Sequence, residues 1–375
     1  MTVSRSPPAV RYTAQAMAQV AQDVPVRTDL LLNFAEALLC KLGVPGDDAR
    51  VTARILLQAD LRGVESHGMA HLADFYVRRL QTGHVNPTPD VRVTSDAPAA
   101  ATVDGDRGLG FVVGQRAMRI AIEKAEATGV GFVTAGNSTH YGAGAYYAMM
   151  ALEHDMIGLS MTTGGRLMTP PGALGRAIGL NVLAVAAPTP RAFPYVLDMA
   201  TSVVAAGKLE IARRRGRPVP EGWAVAADGS PLTDPTALHP DGLMLPLGGT
   251  PEGGAFKGFG LTIMVDLLAG ALSGSGTSAE LAPFAASHAF AALRIDAFAP
   301  KAAYLARMEA LISTVKAAPT LAGVDEVRIP GELEHALAGE RNAAGAVPLH
   351  PKVLEGFRSA AGELGVPFDL VGAPA

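Results

Sequence analysis

Apolar residues recur at helical spacing near the start of the chain, through Leu30, Leu31, Phe34, Leu38 and Leu42. Thr28 stands in front as a candidate cap, and Gly43 before Pro45 ends the run. A second helix is predicted from Asp47 or Asp48 to about Leu61. A third runs to Gly83, after the break Val64-Glu65-Ser66-His67-Gly68. From residue 91 the period shortens. Strands are predicted at 91–94, 100–104, 130–135, 156–162, 181–187, 194–198 and 288–296. Helices are predicted at 111–128, 143–154, 201–215, 259–273 and 300–317, with two short helices closing the chain and residues 216–256 mostly loop. A helical N-terminal unit followed by alternating strands and helices predicts a mixed α/β fold. No internal repeat is present.

Composition narrows the partners. Of 375 residues, 49% are hydrophobic and only 18% charged, which calls for extensive burial between domains or subunits. A net charge of −4 gives no footprint for nucleic acid or an anionic membrane. The run Arg213-Arg214-Arg215-Gly216-Arg217 closes a predicted helix, where positive charge suits the helix dipole. Cys40 is the one cysteine, so no intramolecular disulfide can form; it is expected on the apolar face of the first helix. The most apolar stretch, Phe259 to Ser273, is too short to span a bilayer and carries Asp266. Residues 1–24 read as a polar extension without the order of a secretory signal. A soluble, cytoplasmic protein is expected.

A strand-to-helix G-x-G-x-x-G fingerprint is missing; Gly108-Leu109-Gly110-Phe111-Val112-Val113-Gly114 has the wrong final spacing. Walker, G-x-S-x-G and H-E-x-x-H motifs are missing too. Four clusters carry candidate chemistry. In Asp60-Leu61-Arg62-Gly63-Val64-Glu65-Ser66-His67-Gly68, an imidazole sits at a break between helices; a capping serine beside a surface histidine is the plainer account. Gly136-Asn137-Ser138-Thr139-His140-Tyr141-Gly142 follows a strand and precedes a helix, where α/β enzymes hold reacting groups; a polar turn with an exposed histidine accounts for it equally. Leu197-Asp198-Met199-Ala200-Thr201-Ser202 puts a carboxylate at a strand end, with Lys208 in the next helix, and could equally be a helix cap. Gly253-Gly254-Ala255-Phe256-Lys257-Gly258-Phe259-Gly260 places one lysine among glycines ahead of an apolar helix, suited to an anion.

In order, the runs ADLRGVESHG, GNSTHYGAGAYY, LDMATS, GWAVAADGSPLTDP and KGFGL resemble the malate/L-lactate dehydrogenase family of type 2, from about Pro25 to Val366. That family also contains ureidoglycolate and sulfolactate dehydrogenases, 2,3-diketogulonate reductase and a cyclic-imine (piperideine/pyrroline-2-carboxylate) reductase. The resemblance implies a non-Rossmann NAD(P)-binding fold of the L-sulfolactate dehydrogenase type, with a largely antiparallel, mixed central sheet. It divides the chain into 25–98 (substrate-binding, mainly helical), 99–298 (NAD(P)-binding) and 299–375 (C-terminal helical). It also implies a homodimer, NAD or NADP as cofactor, and interconversion of a small 2-hydroxy acid with its 2-keto acid. By the same resemblance His140 is the proton-transferring histidine, and Ser66 and His67 line the substrate and nicotinamide. Asp198, Met199, Ala200, Lys257, Gly258, Pro330, Gly331 and Glu332 are cofactor contacts.

Two departures stand out. Where the family often has S-H-G-x-x-R, with arginine clamping the substrate carboxylate, this chain has His71, which cannot make the bidentate contact of a guanidinium. Where the family has Thr-Asn-Ser, it has Thr162-Thr163-Gly164-Gly165. Carboxylate recognition is then shared with another cation or relaxed toward a different substrate. The rival within the chemistry is a cyclic-imine or diketogulonate-type reductase. Outside it, the rivals are a metal-dependent hydrolase using His67, His71 and His140, or a non-catalytic relative. No metal is required by the dehydrogenase reading.

Overall fold

A computed structural model describes residues 23–238 and 242–371; most of the 1–24 extension lies outside them. The first two predicted helices form as Thr28–Lys41 and Gly46–Leu61. Leu31, Phe34, Leu38 and Leu39 turn inward, as the spacing requires. Two details differ. Thr28 is the first helical residue rather than the cap, and its hydroxyl donates across the molecule to the Gly345 carbonyl. Cys40 is exposed, one residue past the buried stripe. Phe34 packs on Phe357 and Phe368 at 5.4 and 5.7 Å, joining the first helix to the C-terminal segment. A short strand, Val24–Arg27, pairs antiparallel with Ala346–Leu349 and closes that contact.

Seven strands make the main sheet. Their order is Arg92–Ala97, Ala100–Asp104, Val130–Thr139, Ala285–Arg294, Met156–Thr162, Val182–Ala187, Tyr195–Ala200. Only Ala100–Asp104 and Val130–Thr139 run parallel; every other neighbour is antiparallel. The non-Rossmann, largely antiparallel expectation holds. One hydrophobic core runs from Val26 through Phe111 and Phe290 to Phe357, so the helical unit, the sheet and the C-terminal helices fold around each other. Within 216–256, two short strands, Ala224–Val225 and Leu243–Met244, join Arg166–Met168 and Ile178–Gly179 in a small second sheet.

Strand direction decides where the site lies. Val130–Thr139, Met156–Thr162 and Tyr195–Ala200 are each separated by one antiparallel strand, so their C-terminal ends share one edge of the sheet. The first of these strands is four residues longer than its apolar pattern suggests, because pairing with Ala285 and Ala286 continues through Thr139 and Ser138. The turn-like Gly136-Asn137 is absorbed as a bulge, with Asn137 at φ 48° in the left-handed region that asparagine tolerates. His140 therefore follows directly on the strand.

Candidate active site

The third predicted helix forms only in part. Residues 65–71 make two 3₁₀ turns, Leu72–Val77 a π-turn, and only Arg78–Gln81 an α-helix. Asp60, buried at the end of the preceding helix, dictates the first break. Its carboxylate accepts the Met69 N–H at 2.7 Å, and any side chain at Gly68 would collide with it. Burial lifts the Asp60 carboxyl to about 7, against the opposing pull of that hydrogen bond. Glu65 ties the same turn to Arg214 and Arg215 at 3.1 Å each. Arg213, Arg214 and Arg215 of the basic run are thus paired with carboxylates.

These turns carry His67 and His71 to His140. The three imidazole centroids lie 5.7 to 6.4 Å apart with their planes within 24° of parallel. Nearly parallel rings at this spacing do not converge on one tetrahedral point, and no group of three possible ligands assembles among the described residues. Ser66 Oγ holds His67 Nδ1 at 2.9 Å, and Tyr76 Oη holds His140 Nδ1 at 2.6 Å. Among the described residues, Nε2 of His67 and His140 and both ring nitrogens of His71 have no hydrogen-bond partner. Phe75 packs edge-on against His140 at 5.2 Å. Desolvation keeps all three rings neutral: His67 falls to about 4, His71 to about 3, and His140 well below its ordinary value. The neighbouring imidazoles and Arg79 push His140 further the same way.

Asp198-Met199-Ala200 ends the edge strand, on the same sheet edge as the strand end that precedes His140. Asp198 is reached by solvent and accepts the Ala145 N–H at 2.8 Å; the protein around it raises its carboxyl to about 6. Thr201, next in the chain, hydrogen-bonds Thr262 Oγ1 at 2.6 Å and accepts the Leu247 N–H at 2.9 Å. Gly258 packs on the Leu247 backbone so closely that no side chain fits. The strand end is thereby stitched to the Ala255–Val265 helix, which begins four residues ahead of the predicted 259 and presents Lys257, exposed, in its first turn. The predicted 201–215 helix starts later, at Ala206, and its Gly207 lies against Ser66. Lys208, the next residue, is exposed.

Pro330-Gly331-Glu332 lies against the same edge strand. Pro330 O accepts the Val196 N–H at 3.0 Å, and Gly331, at φ 92°, fits only without a side chain against Val196. Glu332 is engaged with Lys316 at 2.7 Å and with the Ile329 N–H at 3.0 Å. The chain also offers a solvent-reached carboxylate at Asp198, a cation at Lys257 with no carboxylate partner among the described residues, and open space at Gly165. These suit the hydroxyl-rich ribose and the charged pyrophosphate of a dinucleotide. Sequence reading placed Asp60 in the first cluster without a role and missed Phe75, Tyr76 and Arg79. Phe75 and Tyr76 look like ordinary core positions of an amphipathic helix, and only the π-turn brings both to His140.

The malate/L-lactate dehydrogenase family profile matches residues 26–358. The malate dehydrogenase of Pyrococcus horikoshii is 42% identical over 349 residues, which cover 92% of this chain and 96% of the relative. The L-sulfolactate dehydrogenase of Methanocaldococcus jannaschii is 37% identical over 303 residues, 79% of this chain and 85% of the relative. The solved structure of the Pyrococcus horikoshii malate dehydrogenase superposes with a TM-score of 0.86 over 94% of this chain and 98% of that one, at 39% identity. This chain belongs to the malate/L-lactate dehydrogenase family.

Proposed function

We propose that this hydroxy-acid oxidoreductase carries out its proton transfer at Nε2 of His140. A bound nicotinamide, of NAD or NADP, supplies or accepts the hydride. His140 takes the substrate hydroxyl proton in oxidation and returns it to the carbonyl oxygen in reduction. The supporting observation is the asymmetry of its ring: Nδ1 is held by Tyr76, while Nε2 is unpartnered beside two other neutral imidazoles. Ser66 fixes the His67 ring, which orients the substrate or the carboxamide. Asp198, Met199, Ala200, Lys257 and Gly258 face the cofactor, with Pro330, Gly331 and Glu332 supporting the strand that carries Asp198.

In this reading residues 25–98 supply the substrate side, 99–298 the cofactor side, and 299–375 brace both. The substrate carboxylate loses the arginine usual at position 71. Arg79, one helical face further on, is the nearest compensation: it has no carboxylate partner among the described residues, stacks 3.1 Å over Phe75, and lies close enough to lower the pKa of both His71 and His140. The enzyme acts in the cytoplasm as a homodimer. Phe256, Ile263, Leu267 and Leu272 are exposed along the helix that carries Lys257, an apolar face that a second copy would cover. No helix of the described residues is long and apolar enough to cross a membrane.

A panel of 2-keto acids and cyclic imines, assayed by NADH and NADPH absorbance, tests the reading. Turnover of a 2-keto acid that is lost in His140→Ala supports it. Turnover of cyclic imines alone would reassign the substrate, and no turnover of either class would overturn it.

A further inference from the structure

The histidine cluster depends on a helical irregularity. In an α-helix, residues five apart point about 140° away from each other. In a π-turn, closed by i→i+5 hydrogen bonds, they come back onto one face. Leu72–Val77 is such a turn, and it aims His71, Phe75 and Tyr76 together at His140, with ring centroids 6.4, 5.2 and 5.9 Å away. Tyr76 is the only one of the three that hydrogen-bonds the ring. It is 2% exposed, its ring is wedged against Phe111 at 4.8 Å and Phe75 at 4.9 Å, and its hydroxyl sits 2.6 Å from His140 Nδ1.

That partner is unusual for a proton-transferring histidine, because it carries no charge. A carboxylate can only accept from Nδ1–H. A phenol hydroxyl can accept or donate by rotating its own proton, and so can match either tautomer of the ring. Among the described residues, no carboxylate faces His140. The titratable groups around it are His67, His71, Tyr76, Arg79 and His288. Burial holds the Tyr76 phenol above its ordinary range, which favours its neutral form. When Nε2 takes a proton the ring becomes an imidazolium, and among the described residues Tyr76 Oη is the close acceptor available to its Nδ1–H. The Gly142 N–H, 3.4 Å from Nδ1, is a donor and opposes that charge.

We propose that Tyr76 is a positioning residue for the hydride-transfer reaction: its hydroxyl orients His140 and, as the acceptor of Nδ1–H, stabilises the imidazolium that exists when Nε2 carries the transferable proton. The proton balance involves no new reactant. In reduction, the proton on Nε2 goes to the carbonyl oxygen as hydride reaches the carbon; afterwards the ring is neutral and still bonded to Tyr76. The proposal rests on His140 being the proton donor.

Tyr76→Phe keeps the packed ring and removes only the hydroxyl. Expected are near-normal NADH affinity, a kcat about ten- to a hundred-fold lower with little change in KM, and a shift of the reductive pH midpoint to lower pH by about one unit, since a hydrogen bond to a charged group contributes on that scale. Incorporating 3-fluorotyrosine at position 76, which leaves the fold intact and weakens the oxygen as an acceptor, should move the midpoint the same way by less. In a double-mutant cycle, Tyr76→Phe should cost nothing further once His140→Gln is present. Unchanged kcat and pH midpoint in both Tyr76 variants, with His140→Gln inactive, would overturn the role of Tyr76 alone. An active His140→Gln would remove the reading of His140 and the proposal with it.

Discussion

Two histidines close together in this fold have opposite fates. His288 lies in the middle of the central Ala285–Arg294 strand, wholly buried, with Nδ1 2.8 Å from Thr162 Oγ1 and Nε2 2.9 Å from Ser138 Oγ. It stacks on Tyr141 at 4.7 Å, 4° from parallel, and ties three neighbouring strands together. His140 stands just beyond the end of one of those strands, half-buried, with one nitrogen held and the other free. Both rings are kept neutral by desolvation, His288 at about 3. The shifted pKa therefore does not separate the histidine proposed to transfer the proton from a structural one. The unspent nitrogen does, because a group with both hydrogen-bonding positions filled has nothing left to offer a substrate.

The largest effect expected from this contrast is at His140. His140→Ala should fold and bind cofactor yet lose about a hundred- to ten-thousand-fold in kcat, with kcat/KM falling alongside. Steady-state kinetics on the folded variant checks this, and retention of more than about a tenth of kcat would contradict it.

His288→Ala should do the reverse. Leaving the buried Ser138 hydroxyl short of its partner costs about 1–3 kcal/mol, read as a lower unfolding midpoint in urea, while the Thr162 hydroxyl keeps the Thr163 and Ser287 carbonyls. The pH dependence should change too. A histidine whose folded pKa is depressed from 6.5 to about 3 contributes stability that is present above the unfolded value and lost as pH falls below it. Wild type should therefore weaken between pH 6.5 and about 4 more steeply than the His288 variant, measured at matched urea. Asp60 works in the opposite sense: with its carboxyl raised to about 7, its share is lost as pH rises, but equally in both proteins. Identical slopes would show that His288 is not what protonates.

A smaller change is expected where the site meets its substrate. His71→Arg should lower KM for simple 2-keto acids by about one to two decades if the ring faces the carboxylate, since a bidentate charged contact is on that scale. An unchanged KM across pyruvate, oxaloacetate and larger analogues would leave Arg79 as the carboxylate partner. The smallest effect belongs to His154, which closes a 3₁₀ turn on the surface and pairs with Glu126 at 2.7 Å, both well exposed. His154→Ala should be nearly silent in kcat and within about 0.5 kcal/mol in stability.

Much of the architecture was legible because it depends on period. The stripe through Leu31, Phe34 and Leu38 fixed the first helix, and short β-rich runs located the seven strands of the main sheet to within a few residues. The motifs also pointed at positions that fold together: Ser66, His67, His71 and His140 form one cluster, and the Asp198 strand end is stitched to the Lys257 helix start. Local pattern misled where a long-range contact overrode it. Gly136-Asn137 reads as the start of a loop, yet pairing with Ala285 and Ala286 extends the strand to Thr139. The third helix reads as regular, yet buried Asp60 captures the Met69 N–H and breaks it.

What the sequence determined by itself is the set of groups available: which residues are apolar at which period, that three histidines and few charges lie in the motifs, and that an arginine is replaced by His71. Only the tertiary structure decided which of those groups are spent. It filled both nitrogens of His288 and left Nε2 of His140 open. It also wound Leu72–Val77 so that Tyr76 reaches a histidine 64 residues away. Hydrogen-bond partners at such separations depend on strand register and helix winding, which are set by the packing of the whole core rather than by neighbours along the chain.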